Sequence, residues 1–234
     1  MQVEGVVAVR AALEAGDLRL LLHDRDEEDE MILELIELAR RQGIPCTATA
    51  TSDLRRMGPS RPTVRVLGLT GRDPNLGLEA MLAAPGTIVW LANVRYPPNL
   101  GAAMRTTEVS GASGMIISGT SSMRERKTAV RSAVRADRFI PVHWLLHEEA
   151  VTAIRASGRR VVAIEDVGTL APWEADLVDA VLVVGAEFEG VPEDVLEMAH
   201  EIVRIPMEGF VPSYNLHAAL AVVVVEAMRQ RRGP

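Results

Sequence analysis

Apolar residues along this chain recur in two rhythms. Over residues 5–15, GVVAVRAALEA repeats them at helical spacing and stops at Gly16. LRLLLH, from Leu18, reads as a buried strand. The acidic run DRDEEDE leads into MILELIELARRQG, where Ile32, Leu35, Ile36 and Ala39 share one face, acids crowd the first turn, and Arg40 and Arg41 close the last. That pattern predicts a helix with a solvated, dipole-matched N-terminus. IPCTATA and TVRVLGL are the next strands, flanking a short helix over residues 53–57. The resulting α-β-α-β-α-β unit is compact enough to be a domain, placed at residues 1–75. The turn-rich stretch GRDPNLGLEAMLAAPG marks the boundary, with a linker at 76–86.

From Thr87 to the end, strands alternate with helices. TIVWLANV is followed by a helix after Pro98, then MIISG, a helix around residues 127–136, a strand near Ile140, a helix from Glu148, and the strands RRVVAIE and LVDAVLVVG. This order predicts an α/β domain over 87–234, with a parallel sheet covered by helices on both faces. In LVVGAEFEG a β-branched run ends at Gly185, followed by Glu187 and Gly190, which is how a strand enters a loop that holds something polar. Another short strand, 202–205, is stopped by Pro206. The last segment opens with Pro212 and Ser213 and meets no breaker until Gly233, so a helix is expected with Ser213 at or near its N-cap. Residues 218–225 are apolar all round, which would bury that helix in the core or against a second subunit. Four consecutive valines also suit a strand; the alanines, the unbroken length and the closing Arg229, Arg231 and Arg232 favour helix.

Composition narrows the class. With 234 residues, 48% apolar, the chain has enough material for one large or two small domains with a real core. No apolar run approaches the roughly 20 residues of a membrane helix, and Glu4 precedes any apolar stretch, so neither a membrane span nor a signal peptide is expected and the default location is the cytoplasm. The single Cys46 excludes an internal disulfide framework and reads as a buried structural thiol. His143 and His147 have the i, i+4 spacing of metal ligands on a helix. Trp144 takes the place of the acid in H-E-x-x-H, however, and no third ligand is apparent, so no metal is expected. The chain has no G-x-G-x-x-G or Walker loop.

The net charge of −7 argues against simple non-specific nucleic-acid binding, but its distribution matters more. Residues 1–80 carry −4, residues 95–138 carry +5, and residues 139–234 carry −8. The basic block, with Arg105, Arg124, Arg126, Lys127, Arg131 and Arg135, coincides with NVRYPPNLGAAMR and the thirty or so residues after it. Arginines that merely solvate helix faces are the alternative.

Taken in order, NVRYPPNLGAAMR, GAEFEG, IPM and S-x-N at the start of a final helix resemble the motif set of the SpoU-like (TrmH-type) branch of the SPOUT superfamily. Those proteins are RNA ribose 2′-O-methyltransferases that use S-adenosylmethionine. The likeness spans residues 87–232. It implies a C-terminal trefoil knot with the cofactor in its loops, and a homodimer packed partly through the last helix. The order of elements before residue 75 also resembles the small RNA substrate-binding domain that precedes many such catalytic domains. By the family pattern, backbone groups at Gly185, Ile205 and Tyr214 hold the cofactor, with Gly190 and Met207 in the same motifs. Tyr214 stands where leucine is usual, and His217 replaces a common small polar residue.

Methyl transfer to a ribose hydroxyl needs the methyl held in line with the oxygen, and help in removing the oxygen's proton. The resemblance gives Arg105 the role of base or activator. A guanidinium with a pKa above about 12 is a poor proton acceptor, and a clamp on the target phosphate asks less of it. Asn99 is carried over as a positioning residue, Glu187 as an orienting acid, and Ser213 and Asn215 as catalytic-loop partners, Ser213 also being a candidate helix cap. The expected function is S-adenosylmethionine-dependent 2′-O-methylation of structured rRNA or tRNA. The rival reading is a catalytically inactive RNA- or ribosome-binding factor with the same fold.

Overall fold

The computed structural model describes residues 2–58, 64–211 and 213–233. Pro212 and Thr63, which open two of the expected elements, lie outside them. The chain divides into two compact units, residues 1–74 and 75–234.

The first unit is β1 (Gln2–Glu4), α1 (Gly5–Glu14), β2 (Leu18–Asp24), α2 (Glu30–Arg41), β3 (Cys46–Thr49), α3 (Thr51–Met57) and β4 (Val66–Thr70). Its sheet runs β1-β4-β2-β3, with β2 and β3 parallel and β4 antiparallel to both its neighbours. The predicted stripe Ile32, Leu35, Ile36 and Ala39 of α2 packs with Val9, Leu13 and Leu21 in one core. Asp29 caps α2, its carboxylate accepting from the Met31 N–H at 2.9 Å. The acidic run before that helix is not uniformly solvated, as its pattern suggests. Asp24 is buried and accepts from the Asp26 N–H at 3.1 Å and the Thr51 hydroxyl at 2.8 Å, while Glu27 lies 3.4 Å from Arg65. Cys46 is half-buried rather than buried, its thiol turned to the Ile44 carbonyl at 3.4 Å.

The second unit is α4 (Leu78–Ala83), β5 (Ile88–Ala92), α5 (Pro97–Val109), β6 (Gly114–Ser118), α6 (Met123–Ser132), β7 (Val142–Leu145), α7 (His147–Ser157), β8 (Val161–Ile164), β9 (Val181–Val184), α8 (Glu193–Met198), β10 (Glu201–Val203) and α9 (Leu216–Arg232). Its six strands are all parallel, in the order β10-β8-β9-β5-β6-β7. Strands covered on both faces read as continuous apolar runs, and β5, β8 and β9 are buried along their whole length. One face packs with Leu100, Met104, Leu220 and Val223 of α5 and α9, the other with Met81, Val151, Ile154 and Val195 of α4, α7 and α8. The stretch 76–86, expected as a linker, carries α4, with Met81 fully buried in the second unit. Turn residues at its start are legible in the sequence; the apolar face of a six-residue helix is too short to be.

The final segment is helix, as its alanines and arginines argue. Its cap differs from expectation. Asn215, not Ser213, is the N-cap, its side-chain oxygen accepting from the His217 N–H at 3.0 Å. Nor is the middle of α9 buried all round: Val223 and Val224 are in the core, but Val222 and Val225 are 42% and 51% exposed.

His143 lies on β7 and His147 opens α7, so they do not share the helical face that a metal pair needs. His143 Nε2 meets the Leu76 carbonyl at 3.0 Å, and His147 Nε2 meets Asp194 at 3.1 Å while stacking on Trp90. No helix among the described residues is long and apolar enough to cross a membrane.

Candidate active site

Three neighbouring parallel strands end on one edge of the sheet, and the chain leaves each at its carboxyl end, where open α/β sheets bind ligands. After β8 come Glu165 and Asp166, after β9 Ala186, Glu187, Phe188 and Gly190 of the loop 185–190, and after β10 Arg204, Ile205 and Met207. Together with Ser213, Tyr214 and Asn215 they line a cleft of about 500 Å³, within the usual range for a small-molecule site.

The loop after β9 is shaped by its two glycines. The Ala186 N–H donates to the Gly190 carbonyl at 3.1 Å and the Gly190 N–H donates back to the Ala186 carbonyl at 2.9 Å. A Cβ on Gly185 would stand 2.0 Å from the Gly190 carbonyl, so Gly185 serves a close approach of backbone to backbone. It is buried behind the cleft and does not line it, whereas Gly190 does. Gly190 is left-handed, at φ +68°, and a Cβ there would meet Glu165 Oε2 at 2.6 Å. Glu165 in turn accepts from the Val191 N–H at 2.8 Å, tying the end of β8 to the loop after β9.

Opposite this loop, the Tyr214 hydroxyl donates to the Pro206 carbonyl at 3.2 Å, so its ring straps the segment before α9 to the segment after β10. Three of the four sequence motifs meet in a polar chain at the edge of the cleft. Asn99, in the first turn of α5, donates through Nδ2 to the Glu187 carboxylate and accepts through Oδ1 from Asn215 Nδ2 at 3.5 Å. Asn215 is the cap of α9, so the same side chain that stops the helix N-terminus faces the site.

Of the expected residues, Glu187, Gly190, Ile205, Met207, Ser213, Tyr214 and Asn215 line the cleft, and Asn99 lines the adjoining pocket that shares Glu187. Arg105 does not join them. It lines a separate groove between α5 and α9, with Thr106, Val109, His217 and Val225. Six residues separate Arg105 from Asn99 on one helix. At 3.6 residues per turn that is a rotation of roughly 240° and an advance of about 9 Å, so their side chains leave α5 on different faces. Glu165, Asp166 and Arg204 belong to no motif in the sequence; their position directly after strands β8 and β10 is the signal that identifies them.

The cleft combines apolar walls, Ile164, Val184 and Leu216, with the carboxylates Glu165 and Asp166, acceptors that suit a nucleoside with a hydroxylated sugar and a cationic centre. Elsewhere in the same unit, the basic face of α6 carries Arg124, Arg126, Lys127 and Arg131 along a shallow groove. Arg126 is the anchored member, stacked 5.0 Å from the Trp144 ring and bonded to the Ser121 hydroxyl at 3.0 Å. Ser122 and Glu125 form a capping box at the start of α6, and the hydrogen bonds from the Ser122 hydroxyl and N–H hold the Glu125 carboxyl below its ordinary range.

Comparison with known proteins agrees with this arrangement. A curated relative from Mycobacterium ulcerans (strain Agy99), named an uncharacterized tRNA/rRNA methyltransferase, is 32% identical over 213 residues, covering 88% of this chain and 69% of its own. Among solved structures, an AdoMet-bound rRNA methyltransferase from Sinorhizobium meliloti aligns with a TM-score of 0.61 and 26% identity over 98% of this chain and 87% of its own. The SpoU methyltransferase AviRb from Streptomyces viridochromogenes, in complex with AdoMet, aligns with a TM-score of 0.59 and 25% identity over 99% of this chain and 90% of its own. Residues 86–225, which hold the whole parallel sheet and both site loops, match the model of the SpoU rRNA Methylase family, and the chain belongs to that family.

Proposed function

We propose that this protein transfers a methyl group from S-adenosylmethionine to a ribose 2′-hydroxyl of a structured rRNA or tRNA. Membership of the SpoU family and the AdoMet-bound neighbours support an S-adenosylmethionine-dependent RNA methyltransferase. The observation that carries the finer reading is the Glu187–Asn99–Asn215 chain, which gathers one residue from each of three of the four motifs at the rim of the cleft.

When bound, the cofactor supplies an electrophilic methyl group on a sulfonium. The residues that would hold it are those lining the cleft: main chain at Gly190, Ile205 and Tyr214, the side chain of Met207, and the carboxylates of Glu165 and Asp166 after β8. Gly185 acts from behind, by letting the 185–190 loop close on itself. Asn99 and Asn215, oriented by Glu187, position the ribose hydroxyl, with Ser213 beside them. Arg105 would clamp the target phosphate and stabilise the charge on the ribose oxygen as the O–CH3 bond forms and the S–CH3 bond breaks, leaving S-adenosylhomocysteine, with the hydroxyl proton passing to solvent water. That role needs no proton uptake by a guanidinium and no metal.

Arg105 is apart from the cleft, in a groove whose rim includes Val225. A homodimer formed through α5 and α9 would cover that groove and complete the catalytic set. The resemblance also implies a C-terminal trefoil knot with the cofactor in its loops, and an RNA-holding role for residues 1–75. On this reading the protein works in the cytoplasm, where its substrates are made.

The test is methyl transfer from labelled S-adenosylmethionine to rRNA and tRNA isolated from a strain lacking the protein. Label should appear in alkali-resistant dinucleotides, the mark of a 2′-O-methylated ribose. Label on a base would overturn the ribose assignment, and cofactor binding without transfer would make the protein an RNA-binding factor. Arg105→Ala should lower the maximal rate by roughly 10²–10³-fold, the scale for one charge-stabilising group, with little change in RNA affinity.

A further inference from the structure

The chain has only three Phe, three Trp and two Tyr, so an aromatic ring left in solvent is conspicuous. Phe188 is 103% exposed. It projects from the loop that the Ala186–Gly190 hydrogen bonds lock, so its position is fixed by backbone and not by its own packing. Burying such a ring is worth about 1.5–3 kcal/mol, and a rigid loop that withholds it from the core holds it out for a contact. Tyr96, 58% exposed, is the N-cap of α5. Both rings line one pocket of about 580 Å³, together with Pro97, Arg95 and Asn99.

The surroundings of this pocket decide what enters it. On one side it shares Ala186, Glu187 and Phe188 with the cleft. On the other its wall includes Glu125 of α6, while Arg124, Lys127 and Arg131 leave that helix on another face and line the basic groove. Three acids, Glu125, Glu187 and Glu189, line the pocket itself against the cation Arg95, so a phosphate is repelled from it. A neutral, planar group with a π-face suits it.

We propose that this pocket receives the base of the nucleotide to be methylated, taken out of its stack and held against Phe188 and Tyr96. The ribose then lies at Asn99 and Glu187, and the flanking phosphates run along α6. Unpaired bases are the usual object of RNA recognition, and aromatic side chains hold them by stacking. The inference deepens the proposed RNA 2′-O-methyltransferase reading and rests on it for the identity of the ligand.

The test compares wild type with Phe188→Ala, Tyr96→Ala and Phe188→Trp. Each binds a fluorescent decauridylate, inorganic polyphosphate as a base-free polyanion, and S-adenosylmethionine, in separate titrations. Stacking is worth about 1–3 kcal/mol per base, so each alanine variant should bind decauridylate roughly 5- to 150-fold more weakly, while Phe188→Trp keeps the affinity. Affinity for polyphosphate should stay within about twofold of wild type in every variant, and affinity for S-adenosylmethionine should do so in Tyr96→Ala, whose ring lines the pocket and not the cleft. The proposal is overturned if wild type does not bind decauridylate, or if the alanine variants bind it normally. It is equally overturned if they lose polyphosphate to the same degree, or if their loss is confined to S-adenosylmethionine, which would make Phe188 a cover for the cofactor. Base-dependent binding without methyl transfer by wild type strikes the transferase reading and leaves the pocket standing. Phe188 and Tyr96 are exposed, so their loss leaves the fold intact.

Discussion

The cleft and the groove of Arg105 lie in the same unit but are built in opposite ways. The cleft is made largely by main chain: two glycines fold the 185–190 loop against itself, Glu165 fastens it, and a tyrosine strap closes the other side. The groove is made by side chains of helices, mainly α5 and α9 with Ser132 at the end of α6, and Val109 and Val225 face solvent. A site held by backbone is finished when the chain folds, whereas a site made of side chains projecting from helices is finished by whatever comes to lie on them. The sharpest way to break the first is Gly185→Ala. The added methyl would fall 2.0 Å from a carbonyl that cannot rotate away, so the 185–190 loop must open. Overpacking of this kind costs about 1–3 kcal/mol and lowers the melting temperature by several degrees, roughly 2–4 °C per kcal/mol at this size. The expected result is loss of calorimetrically detectable S-adenosylmethionine binding by a protein that still folds. Unchanged affinity would show that the loop's geometry is not what makes the site.

The two regions also differ in how far the sequence declares them. A glycine pair bracketing an acid after a β-branched strand is a local signal, and the position of Gly190, Ile205, Met207 and Tyr214 around one cleft follows from it once the strand order is known. Strand order itself is non-local. Nothing in VVAI or VLVV says that β8 and β9 are neighbours with β10 beside them, which is why Glu165, Asp166 and Arg204 do not stand out in the sequence. The helix cap shows a finer limit. Ser213 and Asn215 are both good caps, and the choice falls to Asn215 because its side chain also reaches Asn99 across the fold. Arg105 is different again: its six-residue separation from Asn99 is plain in the sequence, and helical geometry alone places the two on different faces of α5. The acidic run before α2 departs from its pattern for the reverse reason, since Arg65, which approaches Asp24 and Glu27, stands just before β4, far along the chain.

If the groove is the incomplete half, covering it should matter. The apolar run of α9 alone points to Val223 as the position where a charge would disrupt a dimer, but Val223 is fully buried in the chain's own core, so a charge there tests folding. Val225 is half-exposed on the groove's rim and is the position that separates the two effects. Val225→Glu should leave the melting temperature of dilute protein near wild type and weaken self-association by about tenfold or more in sedimentation, the scale of one lost apolar contact, with methyl transfer falling in proportion to the dimer lost. A variant that stays dimeric and active would move the interface elsewhere and leave Arg105 to act within its own chain.

The smallest effect expected is the one that measures how the basic flank works. The chain is acidic, so long-range attraction to RNA has to come from the block at residues 95–138, and on α6 its members are not equivalent. Arg126 is held by Trp144 and Ser121, whereas Lys127 and Arg131 are exposed. Each phosphate neutralised on a single strand contributes about −0.7 to the slope of log K against log salt. Removing both exposed cations, as Lys127→Gln with Arg131→Gln, should therefore flatten that slope by roughly 1 to 1.5 for decauridylate and weaken binding alike for other sequences. The maximal rate at saturating RNA should change little, because neither residue lines the cleft. This is the counterpart of the Arg105 substitution, which should reduce rate and spare affinity. If the double variant keeps the wild-type slope, α6 is a solvated face, and the phosphates must be held by other cations, with residues 1–75 the first place to substitute.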